Sequence, residues 1–155
     1  MALKAAGKSA ARRRAREVAL QALYAWRLAG GDALAGDDAP AHARTLEGWT
    51  RCDQELAQEL VSQVILKSES LEKQIAAHLD RSLESLSPVE RVILLIGAYE
   101  LGARPETPFK VVLNEAIELG KSFGGTGGHK FVNGVLEKLA LELRPGELAH
   151  RRQSA

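Results

Sequence analysis

The sequence predicts an all-α fold, a single compact bundle of about six to seven helices with no sheet. Three observations predict it. Apolar residues recur at helical spacing through most of the chain, and no segment alternates strictly between apolar and polar. The aromatic fraction is only 5% within a hydrophobic fraction of 45%, so the core must be mostly Leu, Val, Ile and Ala, which favours helix packed on helix. At 155 residues the chain suits one domain. A domain of that size buries roughly 70% of its unfolded surface and needs no staple.

Residues 1–8 are small, polar and cationic and read as a disordered basic arm. Ser9 is placed to cap a first helix running to about Ala29, with Val18, Ala22, Ala25 and Trp26 on one face and Gly30-Gly31 as its stop. Arg12, Arg13 and Arg16 then fall in the first turns, against the positive end of the helix dipole, a placement that suits a bound anion. Positions 30–48, rich in Gly, Ala and Asp and containing Pro40, read as loop. Thr50 and Asp53 resemble a capping pair for a second helix through Leu56, Leu60 and Val64, and Leu71, Ile75 and Leu79 continue the pattern in a third.

Ser87-Pro88-Val89-Glu90 is a sharper start: an N-cap serine, a proline at the first helical position, and a glutamate able to reach back. The apolar run that follows predicts a central buried helix. Gly97 within it costs about 1 kcal/mol relative to Ala and implies close approach of a neighbouring helix. Pro105 and Pro108 bracket a turn before a helix marked by Phe109, Val112, Ala116, Leu119 and Phe123, which Gly124 ends. The last helix spans about His129 to Leu143, with Val132, Val135, Leu136 and Leu139 inward. Pro145-Gly146 closes it, so 9–145 is the helical domain and 146–155 a tail.

Composition also limits the chemistry. The lone Cys52 can form no internal disulfide, and nothing near the N-terminus resembles a signal peptide, so a reducing cytoplasm is the expected compartment. The longest apolar run, Val92 to Ala98, is far short of the ~20 residues of a membrane span, and no membrane association is expected. His42, His78, His129 and His150 lack metal-site spacing, and no catalytic apparatus is visible in sequence order, so neither enzyme, metal nor cofactor is expected. The Gly-rich stretch from Gly124 to Lys130 fails as a phosphate loop: His129 stands where glycine is needed, Phe131 replaces Ser/Thr, and it joins two helices. It reads as a helix connection, whose N–H groups with Lys130 can meet an RNA phosphate.

The net charge of +1 hides an asymmetry. Lys4, Lys8, Arg12, Arg13, Arg14 and Arg16 give the first sixteen residues +6 with no acid, leaving −5 for the remainder. A basic end on a mildly acidic body suggests a polyanion-binding arm. The competing reading is a solvated terminus. Arginine attracts phosphate and stacks on unpaired bases. Tyr24, three turns further along the same helix, is either its aromatic complement or a half-buried core tyrosine.

Four segments in order resemble the NusB family: Ala11 to Glu17 followed by Gln21-Ala22-Leu23-Tyr24; Pro88-Val89-Glu90-Arg91 leading to Ala98-Tyr99-Glu100-Leu101; Pro108 to Val111 with Asn114 to Leu119; and His129 to Leu136. The likeness covers about residues 9 to 145 and departs from the family's pattern at Gly124 to Gly128, where other members often carry polar residues. It implies an all-helical, non-enzymatic factor for transcription antitermination on ribosomal RNA operons. Such a factor binds single-stranded boxA RNA as a heterodimer with the small-subunit ribosomal protein NusE, in a complex with NusA, NusG and RNA polymerase. The resemblance also implies that the chain can pair as a homodimer. Carried over by position, Arg12, Arg13 and Arg16 would contact RNA, with Lys130 as a lesser candidate; Lys8 and Arg14, from the same cationic stretch, complete the expected RNA-binding set. Tyr24, Glu90 and Phe131 would lie on or near the partner and RNA surfaces. The alternative of a different class is a helical protein–protein adaptor without specific RNA binding.

Overall fold

The computed structural model describes residues 2–31, 38–124 and 128–148. Among these the regular structure is all helical, with no strand, as the missing alternation predicts. The helices fall into two compact units, Met1–Ser68 and Glu69–Ala155. No helix of the described residues is long and apolar enough to cross a membrane.

In the first unit α1 (Ala2–Leu28) packs against α2 (Ala39–Thr45), a 3-10 turn (Glu47–Arg51) and α3 (Gln54–Leu66). Helix α1 begins at Ala2, ahead of Ser9, and takes in positions that composition alone reads as disordered. Ala2, Leu3, Ala5 and Ala6 are strong helix formers, and Ser9 lies inside the helix rather than capping it. Ala15, Val18, Ala19, Ala22, Leu23 and Trp26 are its buried stripe. Gly30 and Gly31 end it with φ of 110° and 67°, the left-handed region that glycine adopts without strain, and the Gly31 N–H returns to the Trp26 carbonyl at 3.0 Å.

Helix α2 lies where a loop was expected. Its Pro40 stands in the first turn, where no N–H is needed, and Ala39 and Ala43 are buried. Positions 32–37 of that expected loop lie outside the described residues. Asp53 rather than Thr50 caps α3: its Oδ1 accepts the Leu56 N–H at 3.0 Å, while Thr50 belongs to the 3-10 turn. Leu56, Leu60 and Val64 are buried as their spacing predicts.

The second unit contains α5 (Pro88–Ala103), α6 (Phe109–Phe123) and α7 (Gly128–Leu143), which pack on one another. They are preceded by α4 (Ser68–Ala76), which starts on the last residue of the first unit and buries Leu71 and Ile75. Ser87 Oγ accepts the Glu90 N–H at 3.1 Å, so α5 starts where the sequence says it should. Every residue from Val92 to Leu101 is buried. A Cβ on Gly97 would stand 2.8 Å from both Leu136 methyl carbons, so the missing side chain is what lets α7 approach α5. Gly120 and His129 make a second close approach, between α6 and α7, with 3.0 Å from a Cβ on Gly120 to the His129 Cβ.

The corner between α5 and α6 poses a hydrogen-bonding problem. The carbonyl of Leu101 would find its helical donor at Pro105, which has no N–H, and that of Arg104 loses Pro108 in the same way and keeps only the turn N–H of Thr107 at 3.0 Å. Arg144, only 7% exposed, supplies the donors. Its Nε donates to the Leu101 carbonyl at 2.8 Å, and Nη2 to Arg104 at 2.9 Å and Glu100 at 3.2 Å. Nη1 donates to the Thr107 carbonyl at 2.9 Å and to Glu147 Oε2 at 2.7 Å. The other Glu147 oxygen accepts the Phe109 N–H at 2.8 Å, at the open N-terminus of α6. Pro145-Gly146, expected to close the domain, instead opens a helical turn at 145–148 that carries Glu147 into this corner. Burial pushes the Glu147 carboxyl up, but the Phe109 N–H and Arg144 outweigh it and hold it below the ordinary value of 4.5. Positions 149–155 of the expected tail lie outside the described residues.

Candidate nucleic-acid interface

Because α1 starts at Ala2, the arginine cluster lies well inside the helix rather than in its first turns. The dipole acts only on the terminal turn, so the expected repulsion there does not arise. What remains is a matter of exposure. Lys8, Arg13 and Arg14 are exposed and Arg12 is half-buried. Lys8, Arg12 and Arg16 follow at four-residue spacing along one stripe that descends from solvent into the interior. Arg16, at its inner end, is 2% exposed and engaged within the protein, as is Arg13 on the surface. Arg16 therefore departs from the expected set of phosphate contacts: a guanidinium withdrawn from water needs its partners inside the fold. The Lys4 side chain lies outside the described ones.

The cationic stretch of α1 is pinned from the side. The Asp53 N–H donates to the Ala11 carbonyl at 3.0 Å, one residue before Arg12. Further along, a Cβ on Gly48 would come 3.2 Å from Val18 Cγ2, so the 3-10 turn lies close on the same helix. Tyr24 is half-buried. It stands eleven residues after Arg13, about three turns, and thus on Arg13's face.

The second unit carries a separate basic and aromatic patch on α7. Lys130 is exposed and Phe131 half-buried, in the first turn of α7. The Arg81 guanidinium sits 4.5 Å from the centroid of the Phe131 ring, a cation–π contact. Beside it is a cavity of ≈ 210 Å³ whose lining includes His78, Asp80, Lys130, Phe131 and Lys138. His78 Nε2 is held by Glu142 at 2.7 Å. The hydrogen bond and charge of Arg81 hold the Asp80 carboxyl below its ordinary value, with Lys138 adding to the effect. Glu90 is half-buried in the first turn of α5, where its N–H is capped by Ser87. Positions 125–127 of the Gly-rich connection lie outside the described residues. Among the described residues no group of three metal-ligating side chains comes together.

Sequence reasoning missed Arg81 and Lys138. Lys138 had a signal, since Lys130, Gly134 and Lys138 recur every four residues on one face of α7. Arg81 had none, because its stacking on Phe131 joins positions fifty apart in the chain.

Fold and surfaces together define an all-α protein that, among the described residues, displays cations on a pinned helix and carries a separate basic and aromatic cavity. The NusB family model matches residues 13–141. The chain is 49% identical over 152 residues to the transcription antitermination protein NusB of Dechloromonas aromatica (strain RCB), covering 98% of this chain and 91% of that protein. It is 51% identical over 137 residues to the protein of the same name from Nitrosomonas eutropha (strain DSM 101675 / C91 / Nm57), covering 88% and 80%. Among solved structures, NusB of T. maritima superposes with a TM-score of 0.72 at 28% identity, over 89% of this chain and 96% of that one. The chain belongs to the NusB family.

Proposed function

We propose that this protein is a transcription antitermination factor that binds boxA-type single-stranded RNA of ribosomal RNA operons jointly with the ribosomal protein NusE, in a complex with NusA, NusG and RNA polymerase. The observation that carries the reading is the cationic face of α1, with Lys8, Arg13 and Arg14 exposed and Arg12 half-buried on a helix pinned at Ala11. A helix already held in place presents its charges without the ordering entropy that a flexible arm would lose on binding. Lys130 adds a further phosphate contact in the second unit. Tyr24, Glu90 and Phe131 serve the NusE and RNA surfaces.

Phosphate contacts position a strand but do not read it, and the chain beyond residue 16 carries −5. A basic partner on that acidic remainder neutralises repulsion and extends the RNA track. Joint binding then requires reciprocity: RNA strengthens NusE binding by the same factor as NusE strengthens RNA binding, about 1–3 kcal/mol. Titration of labelled boxA-type RNA and a scrambled control, with and without NusE, tests this. With about four phosphates neutralised, log affinity should fall against log salt with a slope of about −3. A slope near zero, or equal RNA affinity with and without NusE, overturns joint recognition and leaves the helical adaptor.

A further inference from the structure

The cavity on α7 mixes chemistries that phosphate binding alone does not need. Lys130 and Lys138 attract an anion, yet Asp80 lines the same space and repels one. At ≈ 210 Å³ it falls below the roughly 300–1,000 Å³ of free small-molecule pockets, which suits one residue delivered by a longer chain. An aromatic ring, a carboxylate and two flanking cations match a nucleotide: the ring packs the base, the carboxylate accepts from its edge, and the cations take the phosphates on either side.

We propose that this cavity is a one-nucleotide subsite for single-stranded RNA that selects a base bearing an exocyclic amino group. Phe131 packs the base, Asp80 accepts from the amino group, and Lys130 and Lys138 neutralise the adjacent phosphates. Arg81 is the positioning residue. Its Nε–H donates to Asp80 Oδ1 at 3.0 Å while its guanidinium covers the Phe131 ring at 4.5 Å, so one side chain ties the acceptor to the stacking surface. Phe131 itself lines the cavity, so its ring is reachable from there by a base while Arg81 holds it in place. Cytosine presents N4–H₂ to such a carboxylate. Uracil, like thymine, presents the O4 carbonyl there instead and is repelled. The site is complete within the second unit and does not depend on α1. It rests on the RNA reading above, which it supplies with a base-selecting element.

The test uses the whole chain with oligocytidylate and oligouridylate of equal length, followed by fluorescence anisotropy. The two carry the same charge, so α1 treats them alike and their ratio reports the cavity. Roughly tenfold tighter binding of oligocytidylate is expected. Asp80→Asn, at an exposed position, should bring the ratio below about twofold, because an amide offers a donor as well as an acceptor. Arg81→Lys keeps the charge but loses the planar fork. It should lower the ratio while leaving the salt slope unchanged, which a merely electrostatic role would not do. Joint Lys130→Gln and Lys138→Gln should weaken both oligomers and flatten the salt slope by about 1.4. Equal affinities in the unmodified protein, or a preference that survives Asp80→Asn, overturn the subsite. So does loss of NusE binding in the double lysine variant with both oligomers bound normally, since the cations would then serve acidic side chains of a protein. Failure of the parent reading looks different: neither the oligomers nor boxA-type RNA binds at all.

Discussion

Replacing Arg144 by Met removes a guanidinium while keeping much of its aliphatic bulk, so the change isolates the hydrogen bonds at the corner between α5 and α6. Two of the four carbonyls it serves keep a donor, since the Arg104 N–H still reaches Glu100 and the Thr107 N–H still reaches Arg104, each at 3.0 Å. Leu101 does not, because its helical donor would be Pro105, and Thr107 loses the 2.9 Å bond from Nη1. Glu147 is left a carboxylate without its cation. A buried polar group stripped of its partner costs about 1–3 kcal/mol, which counts for both Leu101 and Thr107, whereas Glu147 is partly exposed, so water takes up part of the roughly 3–5 kcal/mol that breaking a fully buried pair would cost. The combined loss is expected near 3–5 kcal/mol. Arg144→Lys should recover little of it, since one ammonium cannot span acceptors arranged around a planar fork. Urea unfolding followed by circular dichroism, with the slope m unchanged, measures the difference. A loss under about 1 kcal/mol for Arg144→Met would refute the reasoning, because it would mean that water satisfies the corner equally well.

Three further outcomes are expected. Glu147 has a lowered folded-state pKa, so its stabilisation is complete above the ordinary 4.5 and is lost as pH falls through the folded value; unfolding midpoints of the unmodified protein should drop more steeply below pH 4.5 than those of Glu147→Gln, and parallel curves would contradict this. Gly97→Ala gains about 1 kcal/mol of helix propensity but drives a Cβ to 2.8 Å from the Leu136 methyls, in a fully buried site; overpacking of about 1–3 kcal/mol should win, and adding Leu136→Val should restore most of the loss in thermal melts. Arg16→Met should leave the salt dependence of RNA binding unchanged, whereas joint Lys8→Ala and Arg14→Ala, at exposed positions, should flatten its slope by about 1.4 with little change in melting temperature. The opposite pattern would return Arg16 to the phosphate contacts.

The sequence makes legible those features that local chemistry decides. Ser87-Pro88 marks the start of α5 because cap and proline act within one turn, and the alternating three- and four-residue spacing of Phe109, Val112, Ala116 and Leu119 marks α6. Gly97 announces a close neighbour without saying which, and Leu136 answers only in three dimensions. Helix α2 is hidden by its shortness and by Pro40 and its alanines, which turn chemistry and a buried short helix share. Within the run from Arg12 to Arg16 all four arginines look alike in sequence. Which one turns inward depends on the packing around α1, and Arg16 is the one. The NusB likeness locates the candidate residues and the four-residue spacing from Lys130 offers Lys138, but Arg81 becomes visible only when Phe131 is placed beside it.

The Arg144 corner also bears on the order in which the chain can finish folding. Carbonyls at Glu100, Leu101, Arg104 and Thr107 are made before their donor, which arrives 37 to 44 residues later. During elongation the turn between α5 and α6 can form its helices but must leave those groups to water. The final clasp closes once Arg144 and Glu147 have cleared the ribosome, which makes the corner a late, long-range step in a protein otherwise built from local helices. A chain truncated before Arg144 would keep α5, α6 and α7 in sequence and still lack the fastener between the first two. Such a product should unfold locally at the α5–α6 turn, exposing its amides to hydrogen exchange well before the helices themselves melt.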